Sequence, residues 1–171
     1  KGVNEGNLSI DEGEIRATAE RFVSEGFRYI RISPNAVNGV FRPAEAMALA
    51  IRQLRTVREA VGDRCDLLVG THGQYTPSGA IRLARRLEQY DPLWFEEPTP
   101  PEIPEEMARV ARATSIPIAT GERLTSLQAF QDLLAARGAS VVQLDITHCG
   151  GLTQARRIAD DMGNEPPERL R

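Results

Sequence analysis

Leu93-Trp94-Phe95-Glu96-Glu97-Pro98 carries three apolar residues straight into two carboxylates and a proline. A short apolar run closed in this way reads as a buried strand that delivers acidic side chains at its carboxyl end. Ahead of it, Pro77 to Gln89 has helical periodicity and is closed by Asp91-Pro92; behind it, Glu105 to Ala113 is helical again. Working outward, the same alternation continues in both directions. Upstream, Leu67-Leu68-Val69 is a strand ending in Gly70-Thr71-His72-Gly73, preceded by a helix from Pro43 to Ala60 with proline in its first turn. Phe27 to Ser33 alternates like a strand. Before it, a helix opened by Ser9-Ile10-Asp11-Glu12 carries Ile15, Ala19, Phe22 and Val23 and stops at Gly26.

Downstream, Pro117-Ile118-Ala119-Thr120 leads into Gly121-Glu122-Arg123, and a helix from Leu127 to Ala136 stops at Gly138. Val141 to Asp145 is the fifth strand, followed by His148-Cys149-Gly150-Gly151 and a helix from Leu152 to Asp161. Residues 1–162 therefore read as barrel-type α/β chain, and 163–171 as a loop or unstructured tail. Strands alternating with helices at roughly 25-residue spacing predict a parallel sheet wrapped by helices. A doubly wound open sheet would give the same pattern. The predicted fold is a TIM-type (β/α) barrel, because Arg31, Ser33, His72, Glu96, Glu122, Asp145 and His148 all fall at strand carboxyl ends, which converge on one mouth in a barrel.

With 171 residues, 41% hydrophobic and 26% charged, the composition is that of one soluble globular domain. The net charge of −3, and Lys1 as the sole lysine, argue against nucleic acid as a partner. No apolar run is long enough for a bilayer, and Lys1 to Ile10 lacks the apolar core of a signal peptide, so no membrane partner is expected. Cys65 and Cys149 have no ligand-like spacing and predict reduced thiols in a cytoplasmic protein. Dinucleotide, phosphate-loop and GxSxG signatures are absent, and no HxH pair surrounds His72.

Glu96 and Glu122 are candidate metal ligands: two carboxylates at consecutive strand ends, on apolar strands, need a cation or a proton. The alternative is that Glu96 or Glu97 caps a helix or pairs with an arginine. His72, in a glycine-flanked turn, is a candidate general acid, or else is bonded to loop backbone. Asp145 could orient a histidine base or cap the Gly150-Gly151 turn. His148 is a candidate substrate contact, although a structural loop role weighs more for it. Arg31 points inward by alternation and needs an anion, which is either a substrate group or a neighbouring glutamate.

Taken together, Asp66-Leu67-Leu68 through Gly70-Thr71-His72-Gly73, Tyr75-Thr76-Pro77, Trp94-Phe95-Glu96-Glu97-Pro98, Gly121-Glu122-Arg123-Leu124 and Gln143-Leu144-Asp145 through His148-Cys149-Gly150-Gly151 resemble successive strand motifs of the enolase superfamily. The mandelate racemase/muconate lactonizing branch, and within it the galactonate and mannonate dehydratases, is most similar. The resemblance implies a hydro-lyase that converts an aldonic or aldaric acid to a 2-keto-3-deoxy acid by Mg²⁺-assisted α-proton removal through an enediolate. It implies Glu96 and Glu122 as metal ligands, His72 as the acid that protonates the leaving 3-hydroxyl, Asp145 as the carboxylate orienting a histidine base, and Arg31 as a substrate contact. It also implies a sugar acid as the partner and assembly into homo-oligomers. Gly70 stands where the family's first metal ligand is an aspartate, and Arg31-Ile32-Ser33 replaces a Lys-x-Lys pair, so dehydration is expected over racemisation. The capping domain and last strands of such a barrel are expected to lie outside this sequence. A racemase or cycloisomerase, and a catalytically silent homologue, are the alternatives.

Overall fold

The computed structural model describes residues 5–6, 11–34 and 43–163. The elements alternate: β1 (Glu5–Gly6), α1 (Glu12–Ser24), β2 (Tyr29–Ile32), α2 (Pro43–Val61), β3 (Asp66–Gly70), α3 (Pro77–Leu87), β4 (Trp94–Glu96), α4 (Pro104–Ala111), β5 (Ile118–Thr120), α5 (Leu127–Ala135), β6 (Val141–Val142) and α6 (Leu152–Gly163). All neighbouring strands are parallel, and their order across the sheet is their order along the chain. A doubly wound sheet reverses direction at a switch point; this one never does. Right-handed crossovers that always step the same way place every connecting helix on one face, which is the winding of a (β/α) barrel.

Local chemistry sets the helix starts. Asp11 accepts from Glu14 N–H at 2.9 Å, Thr76 Oγ1 from Gly79 N–H at 3.3 Å, and Ser126 Oγ from Ala129 N–H at 3.2 Å. The helices bury one stripe each: Ile15, Ala19 and Phe22 in α1, and Ala80, Leu83, Ala84 and Leu87 in α3. These pack on Ile30, Ile32, Leu67, Val69, Phe95 and Ile118 from the strands, in one continuous core. Full burial of side chains this size contributes about 1.5–3 kcal/mol each.

The opposite sheet face carries the chemistry. Strand register puts Arg31 beside Leu68 and Leu68 beside Trp94, one step below the row Gly70, Glu96, Ala119 and Val141. Residues in register share a face, so Arg31, Gly70 and Glu96 look away from the helices.

Several boundaries differ from the sequence reading. The strand Glu5–Gly6 was not foreseen. The fifth expected strand ends at Val142 instead of Asp145, because the Asp145 carboxylate turns the chain by accepting from the backbone N–H groups of Thr147 and His148. Helix α3 gives way after Leu87 to a 3₁₀ turn at Glu88–Tyr90, and α6 runs through Gly163, one residue into the expected tail. Residues 164–171, and Ser9 and Ile10 of the expected capping signal, lie outside the described residues. Among the described residues no helix is long and apolar enough to cross a membrane, and Cys65 and Cys149 are both free.

Candidate functional site

A cavity of about 260 Å³ opens at the carboxyl ends of the strands, lined by Arg31, Trp94, Glu96, Glu122, Gln143 and Asp145 among others. Four of the six side chains that the sequence singled out, Arg31, Glu96, Glu122 and Asp145, line this mouth; His72 adjoins it through Arg31 and His148 through the backbone of Glu122.

Arg31 and Glu96 form the centre. Arg31 Nη2 donates to Glu96 Oε1 at 2.7 Å and Nε donates to Glu96 Oε2 at 3.1 Å, with the two side chains 7% and 6% exposed. Burial alone would raise the Glu96 pKa, but the hydrogen bonds and charge of Arg31, helped by Gln143 and by Trp94 Nε1 at 3.4 Å, hold it below the usual carboxylate range. The guanidinium also donates from Nη1 to Ser33 Oγ at 2.7 Å and faces His72 Nε2 at 3.3 Å from Nη2. Since guanidinium nitrogen only donates, His72 Nε2 accepts in this arrangement and its ring proton is assigned to Nδ1.

The turn that presents His72 is tied to the turn after β4. Gly73 N–H donates to Glu97 O at 2.7 Å, Thr71 N–H to Glu96 O at 3.1 Å, and Thr71 Oγ1 to Glu97 O at 2.9 Å. His72 and Glu97 both have left-handed backbone, at φ 49° and 42°. For non-glycine residues this geometry is strained and persists where surrounding bonds enforce it. It breaks the strand alternation at Glu97 and returns that carboxylate to the mouth.

Glu97 is not among the ligands or catalysts expected from the sequence, where it figures only as a possible helix cap or arginine partner. It is buried, and Arg123 Nε bridges both its oxygens at 3.0 and 3.2 Å. Burial still pushes its pKa up despite Arg123, and the charges of Glu122 and Glu96 push the same way. The ligand atoms of His72, Glu97 and Glu122 lie within 4.8 Å of one another. Glu96 belongs to a different grouping, with Arg31. The Glu-Glu dipeptide itself was the available signal for Glu97; its inward return depends on a backbone conformation that residue type does not announce.

Asp145 Oδ1 accepts from Thr147 N–H at 2.7 Å and from His148 N–H at 2.9 Å; the His148 bond is the larger cause of its lowered pKa. Its other oxygen takes neither. His148 is exposed and its Nδ1 meets Glu122 O at 2.8 Å, so its ring steadies the Glu122 turn. Gln143, also unforeseen, leaves Oε1 buried without a hydrogen-bond partner.

A single-wound parallel sheet with acids, an imidazole and an arginine at one mouth narrows the family, and the sequence profile of the enolase C-terminal domain-like family matches residues 14–162. The chain belongs to that family. A D-galactonate dehydratase from Ralstonia nicotianae is 35% identical over 134 residues, 78% of this chain and 35% of the relative. A mandelate racemase/muconate lactonizing enzyme from Sulfitobacter sp. superposes with a TM-score of 0.83 at 37% identity, covering 90% of this chain and 40% of that one. A racemase from Streptomyces coelicolor A3(2), whose structure holds bound magnesium, does so with a TM-score of 0.77 at 30% identity, covering 90% and 41%. The chain thus spans about a third of the length of the dehydratase it matches, and the sheet is part of an enolase-type barrel.

For this member of the enolase family the donors can be tested against a divalent ion. The cavity is lined by three carboxylates, Glu96, Glu122 and Asp145, against one guanidinium. An anionic substrate would meet a surplus of negative charge there, and a cation would remove it. Glu122 and Glu97 fit such an ion: no hydrogen bond to the Glu122 carboxylate occurs among the described residues, and the burial of Glu97 is incompletely offset.

Proposed function

We propose that the protein is an acid-sugar dehydratase, a hydro-lyase that removes the α-hydrogen and β-hydroxyl of an aldonic or aldaric acid as water and releases a 2-keto-3-deoxy acid. The observation that carries this reading is His72, held in the mouth beside Arg31 in a chain akin to a D-galactonate dehydratase.

In this reading Glu122 and Glu97 hold Mg²⁺, because hard carboxylate oxygen suits that ion and imidazole does not. The ion, when bound, stabilises negative charge on the substrate carboxylate as the α-proton leaves. Arg31 binds a substrate oxygen at the cavity wall. His72 protonates the departing hydroxyl after taking up a second proton to become imidazolium, and with Arg31 beside Nε2 the donating edge is Nδ1. Asp145 keeps one oxygen for an orienting bond while the other locks its own turn. The α-proton acceptor lies outside the described residues.

The test is incubation with aldonic and aldaric acids and MgCl₂, scored for a 2-keto-3-deoxy product and, in D₂O, for α-deuterium. Product from one acid supports the dehydratase. Deuterium without product would make the protein a racemase or cycloisomerase. A second reading, a silent homologue that binds a sugar acid without turnover, is favoured by one observation: Arg31 fills the space at Gly70 and engages both Glu96 oxygens. Binding with neither product nor deuterium would establish it.

A further inference from the structure

The carboxylate of Glu96 is met by the protein's own cation, and one glycine makes room for it. A Cβ placed on Gly70 would stand 2.6 Å from Arg31 Cζ and 2.8 Å from Arg31 Nε, closer than real side chains approach. Gly70 has no positive φ that would demand glycine for its backbone; the guanidinium does. Two parallel N–H bonds from Nε and Nη2 span both Glu96 oxygens, in a site that is almost closed to water. A bidentate pair of this kind offers no inexpensive way to replace the guanidinium with a hydrated ion, since the arginine would be left buried without its anion. Glu97 differs: its partner Arg123 is 39% exposed and reaches it through a single nitrogen.

We infer that Gly70 and Arg31 act as a pair that installs a resident guanidinium on Glu96 and withdraws Glu96 from divalent-ion binding. Gly70 is the positioning residue, and Arg31 is the cation. The inference rests on the dehydratase reading and explains why its ligand set is Glu97 and Glu122 without Glu96; the choice of substrate is untouched.

The experiment is calorimetric titration of the protein with MgCl₂ or MnCl₂ alone, without substrate, with circular dichroism as a check on folding. Glu96→Gln is expected to bind the ion within about threefold of wild type, as a side chain outside the ligand set should. Gly70→Ala and Arg31→Met, which displace or delete the guanidinium and release Glu96, are expected to bind it at least tenfold more tightly, a gain that a purely structural role would not produce. A tenfold loss of affinity in folded Glu96→Gln overturns the inference. So does an unchanged affinity in folded Gly70→Ala and Arg31→Met. Should wild type bind no ion, the Mg²⁺ part of the dehydratase reading fails separately; the pair is then judged by whether Arg31→Met creates a site that a further Glu96→Gln removes.

Discussion

Arg31 and Glu96 are joined by two hydrogen bonds, of 2.7 and 3.1 Å, across strands separated in the sheet by β3. Their side chains meet over Gly70, the residue of β3 that has nothing to place between them. The mouth is therefore braced by an ion pair that skips a strand, at the level where the cavity begins.

Removing the arginine should expose what that brace contributes. Arg31→Met leaves Glu96 buried and unpaired, and breaking a buried pair from one side costs about 3–5 kcal/mol. Urea denaturation should show a loss of that order, with much of it recovered in the Arg31→Met/Glu96→Gln double variant. Additive losses would mean that the two residues do not act together.

Gly70→Ala introduces the Cβ that the guanidinium excludes. Overpacking of this kind costs about 1–3 kcal/mol, so thermal unfolding should shift down by several degrees. A Gly70→Ala protein as stable as wild type, with Arg31 still on Glu96 in its crystal structure, would show that β3 yields easily.

His72→Asn keeps a polar group in the turn but removes the proton donor. Dehydration should fall by at least about 100-fold, the usual contribution of a general acid, while α-deuterium exchange persists. Loss of both activities in a folded variant would give His72 a broader role than leaving-group protonation.

Away from the mouth, Glu88 accepts from Thr114 Oγ1 at 2.7 Å and Ser115 N–H at 2.8 Å. The Ser115 backbone bond is the main cause of its lowered pKa. A carboxylate whose pKa is lower in the folded state stabilises the fold above the unfolded value of 4.5 and loses that contribution as pH falls through the folded value. Glu88→Gln should therefore cost up to about 1 kcal/mol at neutral pH, since the group is only half-buried and solvent screens it, and the difference from wild type should vanish in acid. A gap that widens below pH 4.5 would contradict this sign.

The alternation of strands and helices was legible because burying one face of each element leaves a period in the residues, near 3.6 in α1 and α3 and unbroken apolar runs in β3 and β4. The strand-end positions of Arg31, His72, Glu96, Glu122 and Asp145 followed from the same pattern, since a strand of known length delivers whatever comes next to one edge of the sheet. A barrel could be favoured over an open sheet but not demonstrated, because strand order is a fact about pairing between distant segments; β1 to β6 standing in chain order supplied it.

What the amino acids alone determined, then, was which side chains arrive at the mouth. How those side chains pair there was decided by the tertiary structure: Arg31 bonded to Glu96, Glu97 turned inward by a left-handed backbone, Asp145 spent partly on its own turn. The physical reason is that a carboxylate takes whichever cation reaches it in a site closed to water. Reach is set by a few ångströms of space, here the empty Cβ position of Gly70, that exist only once three strands lie side by side.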